Sequence, residues 1–214
     1  SKKLALMIRK NAIEMTHVSH ASHIGAILSV ADIVAVLYSD ILCIDPSNPK
    51  RDDRDRLILS KGHAGVAIYV ALAEQGFFSK ELLKTYYQNG STLSGHVSHK
   101  GVPGVEWSTG SLGHGIGVAV GMALAGRLDN KKHHIYAILG DGECEEGSVW
   151  EAALFASHHN LNNFTVIVDH NKMQALGKCE EQIGLDNLAE KWKNFGFSVR
   201  ECDGHDHKQL KDVL

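Results

Sequence analysis

The stretch from residue 135 to residue 174, IYAILGDGECEEGSVWEAALFASHHNLNNFTVIVDHNKMQ, constrains the fold of this chain more than any other. An apolar run over residues 135–139 stops abruptly at Gly140-Asp141-Gly142. That is how a buried parallel strand runs into a ligand loop. Val149, Ala152, Ala153 and Ala156 then share one side of a helical period, so the loop opens a helix. A second apolar run, over residues 164–168, ends at Asp169-His170-Asn171. The unit is strand, glycine loop, helix, strand. Its crossover length suits a right-handed βαβ connection within one parallel sheet.

Both loops leave the carboxyl ends of parallel strands, where open α/β sheets bind ligands. Gly140 and Gly142 allow close approach of the backbone. Asp141 offers a hard carboxylate oxygen at the first strand tip, and Asn171 a neutral amide oxygen at the second. One carboxylate, one amide oxygen and a backbone carbonyl make a poor cage for a bare cation. They suit Mg²⁺ that also takes phosphate oxygens, so the pair predicts a metal-bridged diphosphate. A lone Gly-Asp-Gly is a common tight turn; the Asn at this spacing on the next strand tip sets this one apart.

The totals exclude several classes. A chain of 214 residues with 43% hydrophobic and 22% charged residues has the composition of one α/β domain. A net charge of -3 with no dense Lys/Arg block argues against a nucleic-acid surface. No apolar run approaches membrane-spanning length, and the N-terminus lacks a secretory pattern. Cys43, Cys144, Cys179 and Cys202 are scattered without a CxxC pair. They read as reduced thiols, and the expected location is cytoplasmic. The 21 glycines against 3 prolines point to backbone close to ligands, and the 14 histidines to chemistry near neutral pH.

Taken in order, the apolar stripe Leu4, Ile8, Ala12 and Met15 predicts a helix over residues 4–16. Residues 17–25 break it. Ser29 is placed to cap a helix through Val30, Ile33, Val34, Leu37 and Ile41. Residues 45–55 are a polar loop, 57–59 a short strand, 60–64 a turn, and 64–75 a small-residue helix closed by Gly76. Ser79 caps a further helix to about residue 87. Residues 89–110 form a long Gly- and His-rich loop, of the kind that is usually functional. A helix with small faces follows over residues 111–128, open to close approach by a sheet, a helix or a cofactor ring. Beyond the central unit, residues 175–185 are an irregular loop, and Asp186 caps a helix ended by Gly196. Residues 197–200 are a third strand, and an amphipathic stretch holds Leu210 and Val213.

The central stretch resembles the thiamine-diphosphate motif, GDG followed after a characteristic gap by Asn, and its surroundings resemble the N-terminal, diphosphate-binding half of transketolase. Three other segments carry the same resemblance. Ala21-Ser22-His23-Ile24-Gly25 is similar to the family's SGHPG, with Ser22 in place of Gly and Ile24 in place of Pro. Arg54-Asp55-Arg56 with residues 57–64 is similar to RDRxxLSKGHA. Ser94-Gly95-His96, Pro103-Gly104-Val105-Glu106 and residues 109–115 are similar to PGHPE…PGVE…TGPLGQG, with His114 in place of Gln.

The resemblance implies a thiamine-diphosphate-binding α/β fold, a mostly parallel sheet with helices on both faces. It implies one diphosphate-binding domain over residues 1–214, lacking its extreme C-terminal part. Asp141, Asn171 and the Met173 carbonyl would bind Mg²⁺, with Ca²⁺ or Mn²⁺ as substitutes. Gly142 and Asn171 would contact the diphosphate, and Gly110 and Leu112 the rest of the cofactor. His23, His63 and His96 would face the reactive carbon, bind donor hydroxyls and shuttle protons, with His63 also near the diphosphate. All three lie in Gly-flanked loops, which favours a site over the core; His20 and His99 are nearby competitors. The run Glu143, Glu145, Glu146 reads as a solvated turn suited to a helix N-terminus, whereas the resemblance has Glu146 reaching across a dimer interface.

The implied activity is ketol transfer in carbohydrate metabolism of the pentose phosphate type. The glutamate that activates the cofactor would come from a C-terminal subunit with a pyrimidine-binding domain, in a dimer of heterodimers. The alternatives are a 1-deoxyxylulose-5-phosphate synthase, a 2-oxo-acid dehydrogenase component, or a non-catalytic scaffold of the same fold. A dinucleotide-binding domain is disfavoured because no GxGxxG follows a first strand.

Overall fold

The computed structural model describes residues 1–175 and 177–214. Leu176, within the irregular loop predicted over residues 175–185, lies outside the described residues. Two helices open the chain, α1 (Lys2–Ser19) and α2 (Ile24–Val36), and a π-turn at Leu37–Ile41 extends α2. Strand β1 (Arg56–Leu59) leads through a 3-10 turn (Gly62–Ala64) into α3 (Gly65–Gln75). After the long loop come α4 (Gly115–Leu128), β2 (Ile135–Gly140), α5 (Gly147–His158) and β3 (Phe164–Asp169). A small antiparallel hairpin, β4 (Met173–Gln174) and β5 (Gly177–Lys178), precedes the short helices α6 (Cys179–Gln182), α7 (Leu188–Asn194) and α8 (His207–Val213).

The strands pair β1-β2-β3, all parallel, with Leu59 beside Ile138 and Gly140 beside Asp169. Alternation sorts their side chains to two faces. Leu57, Leu59, Tyr136 and Ile138 join the core beneath α1, α2 and α3. Ile58, Ile135, Ala137 and Leu139 join the core beneath α4, α5 and α7. Helices therefore cover both faces, as a parallel sheet requires. Because β2 is central, all six of its residues are buried.

The structure moves several predicted boundaries. Helix α2 starts at Ile24, so Ser29 is not its cap; its hydroxyl lies inside the helix and donates to Asp169 Oδ1 at 2.8 Å. Residues 24–41 are apolar and long enough to cross a membrane (18 residues, mean hydropathy 1.8), contrary to the sequence expectation. The stretch is 56% buried in the fold. It also holds the buried Asp32, which takes Arg9, His205 and His207, so it is a core helix. Helix α4 starts at Gly115 rather than residue 111, because Gly113 sits at φ 75°. The helix after Ser79 is a 3-10 turn, Lys80–Thr85, with Ser79 accepting from the Glu81 N–H as predicted. Asp186 does not cap α7; Asn187 precedes it with a left-handed backbone.

The strand predicted over residues 197–200 does not join the sheet. Phe197 and Val199 pack beside the second core cluster. A groove of about 450 Å³ lies between residues 197–202 and Thr165, Val166, Ile167 and Val168 of β3, so no ladder forms there. Gly76 and Gly196 do close their helices, both at φ 90°.

Candidate active site

The site grows from the carboxyl ends of the three strands. Beyond β2, Asp141 is 3% exposed. Its Oδ1 accepts the N–H of Gly142 at 3.0 Å, and its Oδ2 accepts the N–H of Lys172 at 2.5 Å. The carboxylate at one strand tip is thus tied to the residue that follows Asn171 at the next. Asn171 Oδ1 accepts the N–H of Met173 at 2.9 Å, a local turn that leaves it half-buried beside the same loop. A Cβ on Gly142 would come within 3.0 Å of Gln174 Cβ, so the β4-β5 hairpin lies directly over the glycine.

Among the described residues no three His, Cys, Asp or Glu side chains form a metal cage. The donors at the two strand tips are one carboxylate and one amide oxygen. A cation seated on them needs further oxygens from its own ligand, which is the pattern of Mg²⁺ bound with a diphosphate. The residues present fit that group.

Three loops bring histidines together. His23 stands at φ 72° just before α2, a left-handed position that turns the chain sharply between helices. His63 lies in the 3-10 turn after β1. His96 lies in the long loop, beside Gly110, whose added Cβ would be 3.7 Å from its ring. The His23 ring is 5.2 Å from that of His63 and 5.6 Å from that of His96, centre to centre. The competitors lie elsewhere: His20 terminates α1, and His99 stacks on Trp107 and bonds Ser108. His114 Nδ1 bonds the carbonyl of Leu112.

Burial pushes the His63 imidazole down to about 4, reinforced by the nearby charge of Lys61. Burial, then the proximity of His96, lowers His23 as well. His63 is therefore neutral at pH 7, because burial disfavours its imidazolium form. Lys61, 2% exposed, pairs with Asp169 Oδ2 at 2.8 Å below the cluster, and Ser29 completes the carboxylate's bonding. Nothing in the sequence beyond its place in the SKGHA segment marks Lys61 as buried.

The acidic run divides. Glu146 is exposed at the start of α5, its side chain against Gly113. Glu145 accepts from Gln174 Nε2 at 3.0 Å. Glu143 is not solvated at all: it is 2% exposed, and it accepts hydrogen bonds from Ser60, Gly113 and Gly140. Burial raises its carboxyl and those bonds oppose the rise. Gly110 and Leu112 lie on the loop that Glu143 anchors through Gly113.

Comparison with known proteins identifies the family. Residues 1–214 match the family described as "Transketolase, thiamine diphosphate binding domain". The chain is 43% identical over 210 residues to the 6-deoxy-6-sulfo-D-fructose transketolase subunit SqwG of Clostridium sp. (strain MSTE9), covering 98% of this chain and 76% of that one. It is 41% identical over 206 residues to an apulose-4-phosphate transketolase subunit of Phocaeicola vulgatus, covering 96% and 72%. The crystal structure of transketolase from Campylobacter jejuni superposes with a TM-score of 0.93 at 34% identity, covering 98% of this chain. This chain spans only 34% of the chain in that structure. The chain belongs to the transketolase family, as its N-terminal, thiamine diphosphate-binding domain.

Proposed function

We propose that this chain is the cofactor-holding subunit of a split transketolase. With a partner that carries a pyrimidine-binding domain, it moves a two-carbon ketol unit from a ketose to an aldose. The observation that carries this reading is the meeting of three imidazoles from separate loops, one of them just beyond β1, at the same end of the parallel sheet as the strand tips that bear Asp141 and Asn171. The names of two relatives, each a transketolase subunit, support a partner.

Thiamine diphosphate, when bound, supplies the electron sink that a two-carbon carbanion needs. The chain's own residues do the rest. Asp141, Asn171 and the Met173 carbonyl would hold the divalent cation, Mg²⁺ by the chemistry of the donors. Gly142 and Asn171 would meet the diphosphate, and Gly110 and Leu112 the rings. His23, His63 and His96 bind the donor hydroxyls and move protons to and from them. Glu146, exposed beside the site, is available to a carboxylate of the partner, where a shared proton would link two sites. The exposed positions Gly117, Gly121, Ala125 and Leu128 of α4, with Leu154 and Phe155 of α5, give the partner a smooth apolar surface. The assembly is a cytoplasmic dimer of heterodimers.

The test is reconstitution with the partner subunit, thiamine diphosphate and Mg²⁺. The two relatives act, by their names, on a sulfonated and a phosphorylated sugar, so the donor panel includes both kinds and an unsubstituted ketose. Two-carbon transfer is expected only when both subunits and cofactor are present. Turnover of pyruvate without ketol transfer would reassign the chain to the decarboxylating enzymes, and an assembled pair that binds no cofactor would make it a scaffold.

A further inference from the structure

We infer that Glu143 is a positioning residue that locks the two ends of the cofactor site into one spacing. Those ends are the diphosphate loop at the tip of β2 and the ring-contacting loop before α4. The inference rests on the reading of this crevice as a thiamine diphosphate site.

Glu143 follows the Gly-Asp-Gly loop by one residue and is buried in the 3-10 turn Gly142–Glu145. Its Oε1 accepts the N–H of Gly113 at 2.8 Å and the hydroxyl of Ser60. Its Oε2 accepts the N–H of Gly140 at 3.1 Å. One side chain therefore joins the end of β1, the end of β2 and the loop carrying Gly110 and Leu112. Gly113 is held on its other side too, because its carbonyl accepts the Ser148 hydroxyl at 2.9 Å. The fit leaves no slack: a Cβ on Gly113 would lie 2.5 Å from Ser148 Oγ and 2.7 Å from Glu146 Cβ.

A carboxylate is costly at so buried a position unless donors surround it, and a side chain serving only to fill space would be apolar, as its buried neighbour Cys144 is. Accepting backbone N–H groups from two different loops at once is what a carboxylate does and a carboxamide cannot. A Gln here would turn an NH₂ toward one of the two N–H groups and leave that donor unmet.

The test uses the chain assembled with its partner, and two probes in calorimetric titrations: Mg²⁺ with thiamine diphosphate, which spans both loops, and Mg²⁺ with inorganic pyrophosphate, which needs only one. Glu143→Gln is expected to weaken thiamine diphosphate by about 10-fold or more while pyrophosphate stays within about threefold. Ser148→Ala, which frees Gly113 from its other tether, should show the same split in smaller measure, and it carries the test if Glu143→Gln does not fold. A merely structural residue gives parallel losses of both probes, tracking a lowered melting temperature; that result, or no loss of either probe, overturns the inference. A wild-type assembly that binds pyrophosphate but not thiamine diphosphate would instead overturn the cofactor reading.

Discussion

Side chains of one chemical type have different fates here, and the course of the loops that carry them decides which. Of the histidines in loops and turns, the rings of His23, His63 and His96 come together, while His20 ends a helix and His99 stacks on Trp107. Spacing along the chain does not separate these cases, because each lies in a loop whose course is set by the elements around it. Asp141 is legible in the sequence, since a strand tip followed by glycine fixes where its carboxylate goes. Asp141→Ala should weaken metal-dependent cofactor binding by more than the roughly 10–100-fold typical of losing an outer-shell partner. Calorimetry with and without Mg²⁺ checks this, and unchanged affinity would remove Asp141 from the metal set. His63 gives a pH prediction. Its folded value, about 4, lies below its ordinary 6.5, so the unfolded chain binds the extra proton first. Its contribution to stability is whole above pH 6.5 and is lost as pH falls toward 4. In the cofactor-free chain an NMR titration should place the His63 midpoint well below 6.5, and His63→Gln should flatten the fall in stability over that interval. A midpoint at or above 6.5 would contradict the burial described.

At the scale of elements, α4 is the informative case. Its buried side, Ile116, Ala119, Val120 and Ala123, packs on the sheet. Its outer side carries Gly117 and Gly121, where an added Cβ would touch nothing within 4 Å. Glycine in a helix interior costs up to about 1 kcal/mol relative to alanine, so small outer residues make no sense for this chain alone. They make sense under a partner's surface. Gly121→Ala should therefore raise the stability of the isolated chain by about 0.5–1 kcal/mol in urea unfolding and weaken assembly with the partner in analytical ultracentrifugation. Stronger or unchanged assembly would place the partner elsewhere. The helix is visible in the sequence but its start is not: residues 111–114 are drawn out of it by the bonds that Glu143 and Ser148 make to Gly113. The supposed strand over residues 197–200 fails for the complementary reason. Its alternation is real, but a ladder needs a neighbour within bonding distance, and β3 lies across a groove.

For the molecule as a whole, His23 and His96 are exposed and His63 is half-buried, so water reaches groups that would have to manage a carbanion. A covering partner would meet that need. The isolated chain is expected to show no ketol transfer, and activity should rise with added partner and saturate at a fixed ratio of subunits; activity of the chain alone would remove the case for a partner. The sequence by itself determined the parallel pairing of β2 with β3 and the placing of Asp141 and Asn171 just beyond their carboxyl ends. These follow from short-range rules, apolar period and glycine placement, that act within a few dozen residues. Only the tertiary structure decided which histidines meet, that Lys61 and Glu143 are buried and bonded, and which extended run stays out of the sheet. Each of those depends on groups far apart in the chain, and burial and bonding partners are properties of the packed assembly of elements, not of any segment.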